Sequence, residues 1–379
     1  MEVSMPDFDS VSAEDLNDAK GENLDLSKFS GMVGIGFNIA DFRKYLSPFA
    51  VLSAYAKDPL SRTVRFLYKD SICTVSMMCV DVFQELVIPT VVNSSDEFDF
   101  SVDFKFLKNI LQLGGIAFFR VSDSGDLEVV LSSGVVGVDM VNVSKFNSID
   151  VSDYKLRGTD NINNSLLDLT VKTSSLFNNY TEKVFMAKGS KVYQNTNTVF
   201  MEFTGSTFPD GFVFRYMDLV LIRAFVKFNT LAPVKFYSSD SRWVLKTDLF
   251  TYSFPSVVAN FDLSILDVCK DSVFIELQSS FVQPILAFIK NICNNGSVLV
   301  NGATDGVYFR ATSFSGKNVD MKVSEVGIKD EFTFKVNSGV LWKIISILSY
   351  KPVIKVGISK SGYMFIDVDE GKFIFGRQI

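Results

Sequence analysis

One phrase recurs six times along the 379 residues, and it constrains the fold more than any other feature. A short apolar run passes through polar residues into a stretch whose apolar positions have helical spacing. The copies are Phe37-Asn-Ile39 into ADFRKYL, Phe100-Ser-Val102 into DFKFLKNIL, and Leu169-Thr-Val171 into KTSSLFNNYTEKVF. They continue with Phe212-Val-Phe214 into RYMDLVLIRAFVKF, Phe274-Ile-Glu-Leu277 into QSSFVQPILAFIKNI, and Phe334-Lys-Val336 into NSGVLWKIISIL. Successive starts lie 63, 69, 43, 62 and 60 residues apart. Self-similarity at a near-constant period marks a repeated supersecondary unit.

Between the phrases run short alternating segments punctuated by turn residues, such as IAFFRVSD-SGD-LEVVLSS and VIKVGISKSGYMFIDVDEGKFIFG. Period-two alternation with such punctuation reads as antiparallel meanders. Each unit is therefore strand, helix, then about three strands, a β-α-β-β-β module used six times. Six modules group into three domains of two, and the fold class expected is α+β. The boundaries expected are an acidic mobile tail over 1–30 and domains over 31–146, 165–255 and 270–379. Polar linkers are expected near 147–164 and 256–271. The third module reads as shortened, with only SKVYQ and NTVFMEFTG between its helix and the fourth phrase.

Several chemistries are excluded by what the chain lacks. It has no histidine, which removes imidazole bases, Ser-His and Cys-His pairs and H-E-x-x-H metal sites. The four cysteines show no C-x-x-C spacing and sit in apolar surroundings, so buried reduced thiols are expected. No G-x-x-x-x-G-K-[ST] loop occurs, and GMVGIG has the wrong spacing and context for a dinucleotide loop. No catalytic constellation, metal or cofactor is expected. No apolar run reaches the ~18 residues of a membrane span, and the acidic N-terminus does not read as a secretory signal. A cytoplasmic protein without a membrane partner is the expectation.

The charge is unevenly placed. The chain carries 37 basic and 43 acidic side chains, a net −6. The six helix windows, 38–57, 103–113, 174–188, 217–230, 279–295 and 338–350, hold eleven basic residues against four acidic ones. They are net +7, and the remainder is −13. Lys105 and Lys108, and Arg223 and Lys227, share helix faces by their spacing. The acidic residues Asp41, Asp103 and Asp218 fall at helix starts, where the dipole favours them whatever the function. The expected phosphate-facing set is Arg43, Lys44, Lys105, Lys108, Lys183, Arg223, Lys227, Lys290 and Lys343. Such contacts position a duplex without reading its sequence.

On the order and repetition of these modules the chain resembles the DNA sliding clamps, in particular the three-domain beta subunit of bacterial replicative polymerases. The most specific segment is FKVNSGVLWKIISILSYKPVIKVGISKSGYMFIDVDEGKFIFGRQI, and the resemblance covers about residues 32–379. It implies a ring around double-stranded DNA, closed as a head-to-tail homodimer, with helices lining the hole and sheets outside. It also implies a DNA polymerase, a clamp loader and other clamp-binding peptides as partners. In that family a partner peptide docks in an apolar groove; here the matching positions are Phe254, Pro255, Phe373, Phe375, Arg377 and Ile379. The Phe-, Asn- and Lys-rich composition points to an AT-rich genome such as that of a phage or other virus. Two other readings stay open: an open or monomeric viral processivity factor, and a protein-interaction module with no DNA role.

Overall fold

The computed structural model describes residues 29, 32–56, 58–79, 81–91, 96–122, 124–141, 149–175, 183–196, 199–228, 232–259, 261–270, 272–293 and 296–376. The acidic segment over 1–28 lies outside them, as do Arg377 and Ile379. Among the described residues the six modules are complete. The first is β1 (Ile35–Asn38), α1 (Ile39–Tyr55), β2 (Thr63–Lys69), β3 (Ile72–Cys79) and β4 (Val82–Ile88). The second is β5 (Phe98–Asp103), α2 (Phe104–Ile110), β6 (Ile116–Val121), β7 (Leu127–Leu131) and β8 (Gly134–Val138). The third is β9 (Lys155–Asp160), α3 (Asn164–Ser175), β10 (Val184–Lys188), β11 (Lys191–Asn195) and β12 (Val199–Thr204). The fourth is β13 (Val213–Arg215), α4 (Tyr216–Phe228), β14 (Val234–Ser238), β15 (Arg242–Lys246) and β16 (Phe250–Pro255). The fifth is β17 (Ser272–Gln278), α5 (Ser279–Ile292), β18 (Ser297–Ala303), β19 (Gly306–Thr312) and β20 (Asn318–Ser324). The sixth is β21 (Phe332–Asn337), α6 (Ser338–Ile347), β22 (Val353–Ser359), β23 (Met364–Val368) and β24 (Gly371–Phe375).

In modules one, two and six the polar residue that follows the apolar run explains why the phrase recurs. Asn38 accepts from the Ala40 and Asp41 amides at 2.9 and 3.2 Å, Asp103 from Lys105 at 2.8 Å and Asn337 from Val340 at 3.0 Å. Each satisfies amides that the first helical turn leaves without partners. In the fourth module the buried Asp218 reaches back to the Arg215 amide at 2.8 Å instead. At each of these caps strand becomes helix; in the fifth module Gln278 precedes α5 without a side-chain cap bond.

The third module corrects the sequence reading. Leu169-Thr-Val171 is not a strand; it lies inside α3, and the strand before it is β9. Asn163 accepts from the Leu166 amide at 3.2 Å and starts the helix. Thr170 and Thr173 donate their hydroxyls to the carbonyls of Leu166 and Leu169 at 2.7 and 2.6 Å, so β-branched residues sit in a helix with their polar atoms satisfied. With β9 restored the module is not shortened, and first strands begin 57 to 63 residues apart throughout. A second domain opening at 165 would leave out β9 and the first residue of α3. The linker expected over 256–271 contains a 3-10 helix, Leu263–Cys269.

The chain divides into two compact units. The first holds the described residues up to Lys155, with Phe228 and Tyr237–Pro255. Its sheets run β1-β6-β7-β8 and β5-β2-β3-β4-β16-β15. The first strands of modules one and two are thus exchanged: β1 pairs β6, and β5 pairs β2. Phenylalanines from both modules meet in the resulting core. Phe37 stacks on Phe42 at 4.5 Å, Phe66 on Phe100 at 4.9 Å, and Phe119 packs against all four. At Gly34 a Cβ would lie 2.3 Å from the Phe119 carbonyl, so the GMVGIG glycine serves close packing.

The second unit holds Leu156–Lys227, Leu231–Phe236 and the described residues from Ser256 on. Its sheets run β13-β10-β11-β12-β24-β23-β22-β17 and β20-β19-β18-β21. The same exchange recurs: β13 pairs β10, β17 pairs β22, and β21 pairs β18. Exchange therefore couples module three to four and five to six. A second kind of joint links the fourth strands of modules, β4 with β16 in the first unit and β12 with β24 in the second, both antiparallel. The fourth strands β8 and β20 are left as sheet edges.

Candidate nucleic-acid interface

Each helix buries one apolar stripe and turns its cations away from it. In α1 the buried positions are Ile39, Phe42, Leu46, Phe49 and Leu52, while Arg43 and Lys44 are exposed. In α2 they are Phe104, Leu107 and Ile110, and Lys105 and Lys108 are exposed. The helices as observed carry nine basic and three acidic residues, a net +6 that leaves −12 for the rest of the chain.

A cation bridges the two helices of each module pair. The Arg43 guanidinium donates from Nε to the Leu111 carbonyl at 2.8 Å, tying α1 to the end of α2. Arg223 on α4 pairs with Asp168 on α3. Lys290 on α5 places its Nζ 3.7 Å from the centroid of the Trp342 ring on α6, a cation–π contact. These three residues have a structural task beside any contact with phosphate. Lys44 lies 3.4 Å from Asp41, an exposed pair of small energetic weight. Lys343 is half-buried on α6. Lys227 lies in α4, and its side chain is outside the described residues.

Lys183 does not belong to a helix. It precedes β10, is 2% exposed, and holds its Nζ 4.6 Å from the Tyr216 ring centroid. Burial pushes its ammonium down to about 8. The window 174–188 misplaced the third helix, and the cation in the equivalent place is Lys172, exposed in the last turn of α3. The signal that could have found it is the Asn163 cap ahead of the Leu166, Leu167, Thr170, Val171 and Ser174 stripe.

The groove positions divide by burial. Phe254 is fully buried in β16 beside Tyr252, ring centroids 5.1 Å apart, and Pro255 ends that strand half-buried. Phe373 and Phe375 are each 1% exposed in β24, and Phe373 meets the Phe203 ring edge-on. The last strand is thus an interior strand of an eight-stranded sheet.

No family model and no curated protein matches the sequence. Solved structures do match. The DNA polymerase III beta subunit of Thermotoga maritima superposes with a TM-score of 0.75 at 12% identity, over 91% of this chain and 99% of that one. The sliding clamp of Caulobacter crescentus gives 0.75 at 10% identity, over 92% and 100%. The Helicobacter pylori beta clamp bound to a DNA ligase peptide gives 10% identity over 92% and 100%. The chain has the sliding-clamp fold. Among the described residues no group of three or more Cys, Asp or Glu is placed to hold a metal ion, and no helix is long and apolar enough to cross a membrane.

Proposed function

We propose that the chain is a DNA polymerase processivity factor: two copies close head-to-tail into a ring of twelve modules around duplex DNA and tether the polymerase. The observation that carries this reading is the pattern of joints. Within the chain the fourth strand of module one joins that of module four, and that of three joins that of six. The next step in this series joins module five to module two of another copy, and their fourth strands β20 and β8 are the ones left as edges. A heterologous contact of this kind closes when the second copy returns it. On β8, Val135 and Val136 are 54% and 40% exposed, as an edge awaiting a partner strand would be.

The charge distribution supports the DNA role. A net +6 on six helices, within a chain of net −6, favours a polyanion on the helix side and opposes it elsewhere. The proposed phosphate-facing residues are Arg43, Lys44, Lys105, Lys108, Lys172, Arg223, Lys227, Lys290 and Lys343. Binding through them carries no base readout. The proposed domains are the exchanged pairs, modules one and two, three and four, five and six. A polymerase, a loader and other proteins bearing docking peptides are the proposed partners, and the site of action is DNA in the cytoplasm. Because the rings of Phe254, Phe373 and Phe375 are buried, the docking role falls to Pro255 and the chain end from Gly376.

The test compares retention on circular and linearised DNA after loading, at a salt concentration that screens ion pairs. Retention on circles and loss from linear DNA supports the ring. Equal retention on both would favour an open monomer bound through one basic face.

A further inference from the structure

The whole net charge of the chain lies in one segment. Residues 1–28 hold eight carboxylates, from Glu2 to Asp25, against Lys20 and Lys28, a net −6. Residues 29–379 are neutral, with 35 basic and 35 acidic side chains. The segment itself lies outside the described residues, but its point of attachment does not. Phe29 is 7% exposed, stacks on Phe118 of β6 with ring centroids 5.1 Å apart, and packs with Ile116 and Val130. The Met32 amide donates to the Phe29 carbonyl at 3.2 Å, and β1 begins at Ile35. The segment is therefore tied to the unit that contains α1 and α2.

Phe118 and Phe119 are successive residues of one strand and point to opposite faces of the sheet. Phe119 meets Phe42 of α1 with centroids 6.3 Å apart, which puts Phe29 on the face away from the helices. A sheet with a helix laid on it is roughly 20 Å thick, whereas 28 extended residues span up to about 90 Å. From Phe29 the segment has ample length to round the sheet and run along the helices. Those helices are the most positive of the three pairs. They carry Arg43, Lys44, Lys105 and Lys108 against Asp41, a net +3, where α3 with α4 has +1 and α5 with α6 has +2. Lys105 and Lys108 are exposed one turn apart and have no ion-pair partner among the described residues. The uncovered cations and the surplus carboxylates thus belong to the same part of the chain.

We propose that residues 1–28 dock in cis on the cationic face of α1 and α2 and leave it when a stronger polyanion arrives. Spaced carboxylates are held there by the same sequence-independent attraction as phosphates, and salt weakens both. Attachment keeps the carboxylates at an effective concentration on the order of 1 mM, so a dissociation constant of ~0.1 mM for the separate segment lowers duplex affinity at this face about tenfold. That duplex DNA is the displacing polyanion rests on the function proposed above; the docking itself does not.

The experiment uses the full-length chain in two assays. Carbodiimide, which joins a carboxylate to an amine in direct contact, should link the segment to Lys44, Lys105 or Lys108, mapped by mass spectrometry, in a product that stays at one chain mass on a denaturing gel. Excess short linear duplex should suppress these links. In the second assay, exchanging the eight carboxylates for their amides should tighten binding of the same duplex about tenfold at low salt. In a K105E/K108E background the exchange should leave that affinity nearly unchanged. Absence of the links overturns the proposal, as do links found only at twice the chain mass. A gain that persists in full in the K105E/K108E background also overturns it, because the segment then acts through net charge alone. Links that form but resist duplex leave the docking in place and defeat the nucleic-acid reading. Duplex binding that needs Lys105 and Lys108, with no link formed, defeats the docking alone.

Discussion

Replacing Val135 by proline tests the ring at a single backbone atom. The β7–β8 hairpin has a two-residue loop, so its closing pair Leu131–Gly134 exchanges both backbone hydrogen bonds. The pattern alternates from there: Val129–Val136 is bonded, while Val130–Val135 is not. The Val135 amide therefore points away from β7, toward the edge proposed to receive β20. Proline there removes no bond of the ladder within the chain, and edge strands tolerate it. It removes one bond from the intersubunit ladder and leaves its carbonyl acceptor without a partner, which costs about 1–2 kcal/mol. A closed two-subunit ring has two such interfaces, so the dimer loses about 2–4 kcal/mol, or about 30- to 1000-fold in Kd. Light scattering across a dilution series should show wild type near twice the 42.3 kDa chain mass and the variant dissociating at far higher concentration. A variant with native circular dichroism and the wild-type dimer Kd would refute the β8–β20 joint.

Three further outcomes are expected. Reversing Lys105 and Lys108 to glutamate should cut polymerase stimulation on circular templates severalfold with little change in Tm, because both side chains are exposed on α2; this pair tests the channel more cleanly than Arg223, whose loss also strands Asp168. Asn337→Ala should lower stability by about 1 kcal/mol through the lost cap at Val340, read as a denaturant midpoint shift at constant slope. Deleting residues 376–379 should leave the thermal transition in place, since β24 ends at Phe375, while weakening polymerase binding; unchanged affinity would move the docking site elsewhere.

The modules were legible in the sequence because two periodicities meet at a cap. Phe37 and Phe100 mark the buried face of a strand, and Asn38 and Asp103 mark where the period changes from two to 3.6. The third module was misread because Leu169-Thr-Val171 has strand-like side chains; in the helix the hydroxyls of Thr170 and Thr173 are satisfied by the preceding turn, and the Asn163 cap marks its start. That one slip put Lys183 on a helix and hid Lys172. The exchange of first strands was not legible at all. It is a choice of partner between chemically similar strands, and β1 would satisfy its alternation equally well beside β2 as beside β6.

The exchange also bears on the proposed function, a task that needs no particular side chain. A module that gives away its first strand cannot complete its own sheet, so the unit of stability is the pair, and pairs extend only through their fourth strands. Each pair presents two helices bridged by a cation, through the Leu111 carbonyl, Asp168 or the Trp342 ring. The three bridges use different chemistry at equivalent places. What they share is a positive charge held on the helix side of a sheet, and contact with phosphate asks for nothing more specific. An identity of 10–12% alongside TM-scores of 0.75 is what this division predicts. In the proposed ring the backbone joints would define the enclosure, and the charges on the helices would be interchangeable as long as their sum stays positive.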